Sequence, residues 1–247
     1  MPPLIQPVPN GVSFDMPRST LALALDQHCS ALGSCRRCTR GPEIQPIAAR
    51  SRAPRAMLVG QAPGRMEAGG GRPFAGRAGG TLFKWLALAG LDEPAARDLF
   101  YISAITRCYP GAHPSGRGDR VPSPAERRAC SDWLEAELRI IRPPLLVLVG
   151  RLAIDRFLGA HPLDALVGRE HDVEHAGGRS IAIALPHPSG ASSWIHAAEH
   201  RELLHRSLAL MRNRLGSHPA RRAAIRGLAS YSCCSLRVDG EMRTIGQ

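Results

Sequence analysis

Short apolar runs alternate with amphipathic stretches along most of this chain. Four runs are almost wholly apolar, which is typical of buried strands. They cover residues 56–60, 100–105, 145–150 and 180–185. Stretches with apolar residues at helical spacing cover residues 19–32, 81–90, 124–141, 152–158 and 197–215. This alternation predicts an α/β fold, a three-layer sandwich in which helices flank a central four-stranded parallel sheet.

The two ends of the chain lack this pattern. Residues 1–16 are rich in proline and show no periodicity, so we expect a flexible N-terminal arm. The pattern dissolves again over residues 216–247, which we expect to be a disordered tail. The total of 247 residues fits one domain with appendages. We therefore place a single domain at residues 17–215.

The hydropathy pattern argues against a membrane-spanning or secreted protein. Hydrophobic residues make up 44% of the chain, enough for a sizeable core. No window approaches 18 uninterrupted apolar residues, and the N-terminus lacks a basic-then-apolar signal pattern. We expect a cytoplasmic protein that has no membrane partner and that acts as a monomer.

Three unusual segments follow three of the predicted strands. Residues 61–80 are so rich in glycine that we expect a long functional loop without regular structure. Residues 106–108 follow the second strand, and His187, Pro188 and Ser189 follow the fourth. Because the carboxyl ends of parallel strands meet at one edge, these segments are predicted to converge on one site.

Single residues of these segments allow more than one interpretation. Phe74, an aromatic among glycines, suits a base-stacking platform, or else it plugs the loop onto the core. His187 stands between two prolines that fix its direction, or it is a satisfied core histidine. Glu67, the carboxylate of that loop, is solvated in the simplest interpretation.

Several common enzyme motifs are missing. The chain contains neither a phosphate-binding G-x-x-x-x-G-K-[ST] nor a nucleophile elbow G-x-S-x-G. The pairs His171/His175 and His196/His200 have the spacing of one helix face, but neither forms H-E-x-x-H. We interpret these four as solvent-facing histidines.

The charge permits a nucleic-acid partner without requiring one. The formal net charge is +11, yet only Lys84 is a lysine and all the other basic residues are arginines. Such a bias follows from codon composition as readily as from selection for a polyanion.

Cysteines suggest a second kind of site. The chain has seven, an odd number that argues against complete disulfide pairing. Cys35 and Cys38 form a C-x-x-C, and Cys108 and Cys130 follow at a distance. Four thiolates suit zinc or an iron–sulfur cluster, and the alternative is that they are small apolar residues. Cys29 lies on an apolar helix and is predicted to belong to the core.

Residues 60–67 and 71–79 form one motif, His187-Pro188-Ser189 forms a second, and the four spaced cysteines form a third. These motifs resemble those of the family-4, iron–sulfur uracil-DNA glycosylases, with the first two similar to the first and second family motifs. The segment from Asp119 to Cys130 resembles the approach to the last cluster cysteine. The resemblance implies that four cysteines bind a [4Fe–4S] cluster. They are Cys35, Cys38, Cys108 and Cys130.

The resemblance also implies a mechanism for hydrolysis of the N-glycosidic bond. The partner would be DNA containing uracil or another deaminated base, flipped into a pocket. Phe74 would stack on the base, and His187 would donate a hydrogen bond to the charge that develops on it. The pocket would be lined by Gly60, Gln61, Ala62, Phe74, Ala104 and His187.

DNA contacts follow from the same resemblance. The loop after Ser189 would enter the minor groove with Trp194 or Ile195 as an apolar wedge. Other implied contacts are Ser189 and Ser192, with Arg65, Arg72, Arg77 and Arg107 as candidates for phosphates.

The chain departs from the family pattern at the carboxylate and amide positions. Gln61 and Ala62 stand where a carboxylate usually activates water, so Glu67 is the candidate substitute, beside Gln61 and His187. Ala104 stands where the family has a uracil-reading asparagine, which suggests an altered base range. Two hypotheses remain. One is a monofunctional uracil-DNA glycosylase of base excision repair, and the alternative is a weak or inactive binding protein for DNA or damaged bases.

Overall fold

The structure, a computed structural model, describes most of the central part of the chain. The described residues are 17–38, 45–48, 54–116, 118–189 and 193–216. The predicted arm, and residues 217–247 of the predicted tail, lie outside the described residues.

A single sheet of five strands forms the centre of the described part. The strands are β1 (Ala56–Gly60), β2 (Phe100–Ala104), β3 (Leu145–Val149), β4 (Glu170–His175) and β5 (Gly178–Leu185). Their order is β2-β1-β3-β5-β4. The pairs β1–β2, β1–β3 and β3–β5 are parallel, whereas β4 pairs with β5 in the antiparallel direction. The prediction of an α/β fold is confirmed, but the prediction of four strands is wrong.

The additional strand, β4, has a sequence that conceals it. Its six residues include one hydrophobic side chain, Val173, which is also its one buried residue. An edge strand that packs one side chain needs no apolar run, and charged residues suit an exposed edge.

Three of the four histidines interpreted as solvent-facing are half-buried in the structure. His171 and His175 lie on β4, not on a helix, and both are half-buried. The Nε2 atom of His171 bonds the carbonyl of Leu166 at 2.8 Å, and Nε2 of His175 bonds Ser180 Oγ at 2.6 Å. His200 is half-buried on the last helix, while His196 is exposed. The spacing of the first pair does not reflect a helix, because an alternating strand also places residues four apart on one face.

Eight helices are present among the described residues. They are α1 (Arg18–Gly33), α2 (Arg65–Gly70), α3 (Arg77–Leu88), α4 (Glu93–Leu99), α5 (Pro124–Ile141), α6 (Arg151–Leu158), α7 (Leu163–Leu166) and α8 (Ala198–Gly216). A 3-10 turn covers Ser193–His196. None of the described helices is long and apolar enough to cross a membrane.

Helix α5 begins and ends where the sequence predicts. Ser123 Oγ accepts the backbone N–H of Glu126 at 3.3 Å, and the Glu126 carboxylate accepts the N–H of Ser123 at 2.8 Å. This capping box stabilises the first turn, where Pro124 has no N–H to leave unpaired.

The glycine-rich segment is more regular than predicted. Helix α2 lies within residues 61–80, and α3 begins at Arg77, earlier than the predicted start at Thr81. Glu67 explains α2, because its carboxylate accepts the N–H of Gly64 at the start of that helix. Side-chain capping of this kind offsets the low helix propensity of glycine.

Helices cover both faces of the sheet and give the predicted three layers. One face packs against α3 and α8, with Leu82, Leu86, Leu204 and Leu208 among the buried residues. The other face packs against α1, α5 and α6 through Leu25, Leu134, Leu138 and Ile154.

Candidate active site

A cleft of about 890 Å³ opens at the carboxyl ends of the parallel strands. It is lined by residues that follow β1, by Thr106 and Arg107 after β2, and by His187, Pro188 and Ser189 after β5. The predicted convergence of three segments on one edge is confirmed. Gly60, Gln61, Ala62, Phe74, Ala104 and His187 all line this cleft.

Phe74 sits in the cleft wall on a constrained backbone. Its φ of +53° lies in the left-handed region, which non-glycine residues rarely adopt. The ring packs over Gly60, where an added Cβ would lie 3.0 Å from Phe74 Cζ. A Cβ on Gly79 would collide with the carbonyl oxygen of Phe74. Two glycines therefore make the room that this aromatic ring and its backbone occupy.

Arg97 on α4 hydrogen-bonds to the backbone of Phe74 and of the residue before it. Its guanidinium donates to the carbonyls of Pro73 at 2.9 Å and Phe74 at 3.3 Å, and its Nε donates to Glu93 at 2.8 Å. Bidentate contacts from a planar group fix a loop in a defined position. Sequence reasoning missed Arg97, because its partners are carbonyl oxygens, which leave no signal in the sequence.

His187 is half-buried and has a defined tautomer. The backbone N–H of Ser189 can only donate, and it lies 3.2 Å from Nδ1 of His187, so Nδ1 is the acceptor. In the neutral ring the hydrogen is then on Nε2. Burial lowers the pKa of His187 below the ordinary histidine value, which favours this neutral form at pH 7. His187 therefore presents a neutral N–H donor in the cleft wall.

Glu67 holds the loop around the cleft with both carboxylate oxygens. Oε2 accepts the N–H of Gly64, and Oε1 accepts the N–H of Gly76 at 3.4 Å. The residue lines the cleft but is only 7% exposed. Its hydrogen bonds are therefore made to the backbone just before α2 and just before α3.

A second carboxylate, Asp119, lines the cleft from the loop that follows β2. Its Oδ2 lies 3.4 Å from the backbone N of Arg65. Burial and a hydrogen bond to Asp119 raise the pKa of Tyr109. Asp119 belongs to the motif before Cys130, yet sequence reasoning did not name it as a site residue, because that motif pointed only to the cysteine.

Basic residues lie at the rim of the cleft, with one exception. Arg65 and Arg77 line the cleft and are exposed, and Arg72 is exposed nearby in an ion pair with Glu93. Arg107, in contrast, is 2% exposed and pairs with the buried carboxylate of Glu137. The interpretation of Arg107 as a phosphate contact is therefore wrong.

The loop after Ser189 is described only in part. Ser189 lines the cleft, and Ser192 lies outside the described residues. The ring of Trp194 stacks on His200 with centroids 4.1 Å apart, and Ile195 packs against the core. Met66, which sequence reasoning did not select, lines the cleft and is 69% exposed.

Three of the four candidate cluster cysteines approach one another where α1 ends beside α5. Trp133 donates from Nε1 to Cys35 Sγ at 3.2 Å, and the N–H of Arg107 donates to Cys130 Sγ at 3.3 Å. Burial raises the pKa of the Cys130 thiol, Arg107 opposes that rise, and the thiols of Cys38 and Cys35 add to it. Those effects require short separations.

The donor chemistry of these cysteines is compatible with an iron–sulfur cluster, in which each iron takes one cysteine thiolate. Among the described residues, no group of three or more His, Cys, Asp or Glu is arranged to hold a metal ion. N–H donors to sulfur, as at Cys35 and Cys130, are typical of cluster thiolates. Cys29 is separate, since its Sγ lies 3.8 Å from the hydroxyl of Tyr101.

Comparison with known proteins supports one family. The model of the uracil DNA glycosylase superfamily matches residues 49–209. A type-4 uracil-DNA glycosylase of Archaeoglobus fulgidus is 32% identical over 67% of this chain and 82% of its own length. A type-4 enzyme of Thermotoga maritima is 33% identical over 55% and 65%, and a type-5 enzyme of Thermus thermophilus is 35% identical over 44% and 54%. This chain belongs to the uracil-DNA glycosylase superfamily.

Proposed function

We propose that residues 17–215 form a monofunctional DNA glycosylase that hydrolyses the N-glycosidic bond of uracil, or of another deaminated base, and leaves an abasic site. One observation carries the proposal. A single cleft combines a rigidly held aromatic ring, Phe74, with a neutral N–H donor, His187, beneath a rim of arginines.

Phe74 supplies the binding surface for the base. A flipped base loses its stacking in the duplex, and an aromatic ring at a fixed position replaces it. The contacts of Arg97 and the room made by Gly60 and Gly79 set that position before the base arrives. Preorganised stacking of this kind lowers the entropy cost of binding.

The part of the cleft that would meet the base edge carries no asparagine at residue 104. Ala104 lines the cleft without an amide, while Gln61 and Ala62 contribute one amide and a methyl group. A site without a matched amide discriminates less strongly between bases. Uracil is therefore proposed as one member of a substrate class of deaminated bases.

His187 acts on the leaving base. As the glycosidic bond breaks, its electron pair moves onto the base, and negative charge develops there. A hydrogen bond from Nε2 of the neutral ring stabilises that charge without a proton transfer. Loss of one such donor typically costs about 10²–10³ in rate.

Arginines at the rim supply the contacts to DNA. Arg65 and Arg77 line the cleft and are exposed, Arg72 is exposed beside the cleft residue Pro73, and Ser189 adds a hydroxyl after β5. Phosphate contacts from such groups position the strand without reading its sequence. Ser192 and Trp194 remain proposed contacts of the following loop.

Cys35, Cys38, Cys108 and Cys130 are proposed to hold a [4Fe–4S] cluster. A bound cluster supplies a covalent cross-link between the end of α1, the segment after β2, and α5. The N–H bonds to Cys35 and Cys130 orient their sulfurs for that purpose.

Uracil release tests the enzyme directly. Wild-type protein is incubated with an end-labelled single-stranded oligonucleotide carrying one uracil, and alkali then reveals abasic sites. We expect strand cleavage that falls at least about 10²-fold in His187→Ala. His161→Ala, in an exposed turn away from the cleft, is the matched control. No cleavage at uracil, hypoxanthine or xanthine would refute the glycosylase and leave a binding protein.

Iron content tests the cluster independently of activity. Purified Cys35→Ser and Cys130→Ser should lose iron and the visible absorbance of the cluster, whereas Cys29→Ser should retain both. Iron retained after both of the first changes would refute the assignment.

A further inference from the structure

The tetrapeptide His-Pro-Ser-Gly occurs twice in this chain. One copy begins at His187, in the cleft wall, and the other begins at His113, in the segment between β2 and α5. The first copy supplies the hydrogen-bond donor for the leaving base. The second copy has no part in that step, although its histidine is held in the same way.

The two copies make the same hydrogen bonds. Nδ1 of His113 lies 3.2 Å from the backbone N of Ser115 and 2.8 Å from Ser115 Oγ. The corresponding distances from Nδ1 of His187 to Ser189 are also 3.2 Å and 2.8 Å. A backbone N–H can only donate, so Nδ1 of His113 is an acceptor, and the neutral ring carries its hydrogen on Nε2. His113 therefore presents Nε2 as a hydrogen-bond donor.

His113 lies near the tip of a short hairpin beside the cleft. Residues 111–120 form this hairpin, called the His113 hairpin below, and residue 117 lies outside its described part. The backbone N–H of His113 donates to the carbonyl of Gly118 at 2.9 Å. Gly118 and Asp119 line the cleft. The histidine is therefore held directly beside residues of the cleft.

Hydrogen bonds hold the His113 hairpin at its tip and at its base. At the tip, the N–H of Gly116 donates to the carbonyl of His113 at 2.8 Å and closes a turn. At the base, the N–H of Arg120 donates to the carbonyl of Gly111 at 2.9 Å, and the Arg120 guanidinium pairs with Glu126 of α5. A side chain on such a support loses little conformational entropy when it binds a partner.

The position and chemistry of His113 fit a phosphate oxygen of the DNA strand. His113 is exposed, and a base enters the cleft only from a strand that passes the cleft mouth. Most hydrogen bonds between proteins and DNA are made to phosphate and sugar oxygens, which accept N–H groups. A role as nucleophile does not fit, because the Nδ1 lone pair accepts from Ser115 and Nε2 carries the hydrogen.

We propose that the His113 hairpin is a strand-binding element and that His113 donates a hydrogen bond from Nε2 to one backbone phosphate. This inference rests on the proposed function, which makes DNA the partner. Because the imidazole is neutral, the contact adds affinity without releasing a counterion. An arginine contact, in contrast, contributes both to the affinity and to its salt dependence.

Binding of a single-stranded oligonucleotide with one 2′-fluorodeoxyuridine tests the contact. The fluorine slows cleavage by destabilising the cation-like sugar, and the flipped base fixes the register of the strand. At pH 8, His113→Ala should raise the Kd about 3–10-fold, as for loss of one hydrogen bond, and leave the salt slope unchanged. His113→Gln, whose amide also donates, should retain part of the affinity. His161→Ala, at another exposed histidine, is the matched control.

Replacement of single phosphates by neutral methylphosphonates locates the partner of His113. At one position the replacement should weaken binding by wild type and leave binding by His113→Ala unchanged. Equal losses in both proteins at every position would overturn the contact, as would a wild-type Kd in His113→Ala or a salt slope that falls in this variant.

The outcomes separate this proposal from the glycosylase function. If wild type releases uracil and His113→Ala binds like wild type, the role of the hairpin is overturned and the function stands. If wild type releases no base but shows the expected loss in His113→Ala, the function fails and the strand contact stands. If wild type does not bind the oligonucleotide, both are overturned.

Discussion

The ring of His187 packs over the backbone of Gly150, at the end of β3. Gly150 has a φ of +85°, and a Cβ added there would lie 2.7 Å from Cδ2 of His187. Real Cβ atoms do not approach other atoms so closely, so the imidazole would have to move. The orientation of His187 therefore depends on a neighbour that has no side chain.

Gly150→Ala is expected to lower the rate of base release about 10²-fold, because displacement of a catalytic group by about 1 Å has an effect of that size. Gly159→Ala is the matched control, since Gly159 has a similar φ of +79° but its added Cβ makes only an ordinary contact with His161. Single-turnover rates and melting temperatures of both variants decide the matter. Equal rate losses in the two variants would show that backbone strain, rather than contact with His187, is the cause.

The lowered pKa of His187 makes part of the stability depend on pH. Burial lowers this pKa in the folded protein below the ordinary value of about 6.5. Below that value the unfolded chain binds a proton that the folded protein resists, so the free energy of unfolding falls as pH falls. Protonation of Nδ1 would also break its hydrogen bond with Ser189, because Nδ1 and the backbone N of Ser189 would then both carry a hydrogen.

We expect urea unfolding to show lower stability at pH 5.5 than at pH 7.5, and a smaller difference in His187→Gln. His175, whose pKa is also lowered by burial, contributes in the same direction, so the difference should shrink without vanishing. An identical pH dependence in wild type and His187→Gln would contradict the assignment.

At the scale of elements, a buried polar network joins α1, β2 and α5. Glu137 on α5 is 0% exposed and pairs with Arg107. Its carboxylate also accepts from Tyr101 at 2.8 Å and Ser103 at 2.9 Å, and it bonds His28 at 3.2 Å. Burial alone would raise the pKa of Glu137, but Arg107 and these hydrogen bonds hold it below the usual value. The network therefore buries a charged pair of which one member, Arg107, lines the cleft and donates its backbone N–H to Cys130.

Removal of one partner from this pair should be far more costly than removal of both. Glu137→Leu is expected to destabilise the fold by about 3–5 kcal/mol, because the charge of Arg107 is left buried and unpaired. Adding Arg107→Leu should recover part of that loss, as apolar groups that replace a buried pair are often tolerated. Urea unfolding of both single variants and the double variant measures the coupling. Simple additivity would show that the pair is not coupled. Glu174→Gln, in an exposed pair with Arg179, should leave stability unchanged.

Elements with a strong pattern could be predicted from sequence, and weakly patterned ones could not. The apolar runs of β1, β2, β3 and β5 and the capping box of α5 identify those elements correctly. Strand β4 was missed because pairing with β5, rather than its own apolar residues, makes it a strand. Helix α2 was missed because the carboxylate of Glu67 stabilises a start that glycine disfavours.

At the scale of the whole molecule, the sequence predicts which residues meet but not how each is used. Phe74 and His187 were placed at one site because strand order brings their loops to one edge. The role of Glu67 in activating water stays a prediction, and nothing in the sequence shows that its oxygens accept N–H groups from Gly64 and Gly76. Asp119 was not assigned, because its approach to Gly64 exists only in three dimensions.

The net charge of +11 predicts that DNA binding weakens as the salt concentration rises. We expect the arginines at the cleft rim to cause most of this dependence. Each phosphate contact on a single strand contributes about 0.7 to the slope of log Kd against log salt concentration. Arg77→Gln should therefore weaken binding of an undamaged single-stranded oligonucleotide uniformly across sequences and reduce that slope by about 0.7. Arg179→Gln is the matched control, since Arg179 lies at the start of β5, at the edge of the sheet opposite to the cleft. Fluorescence anisotropy over a range of salt concentrations measures both slopes. If the two variants reduce the slope equally, the attraction comes from the overall charge, and the rim arginines are not the strand-binding surface.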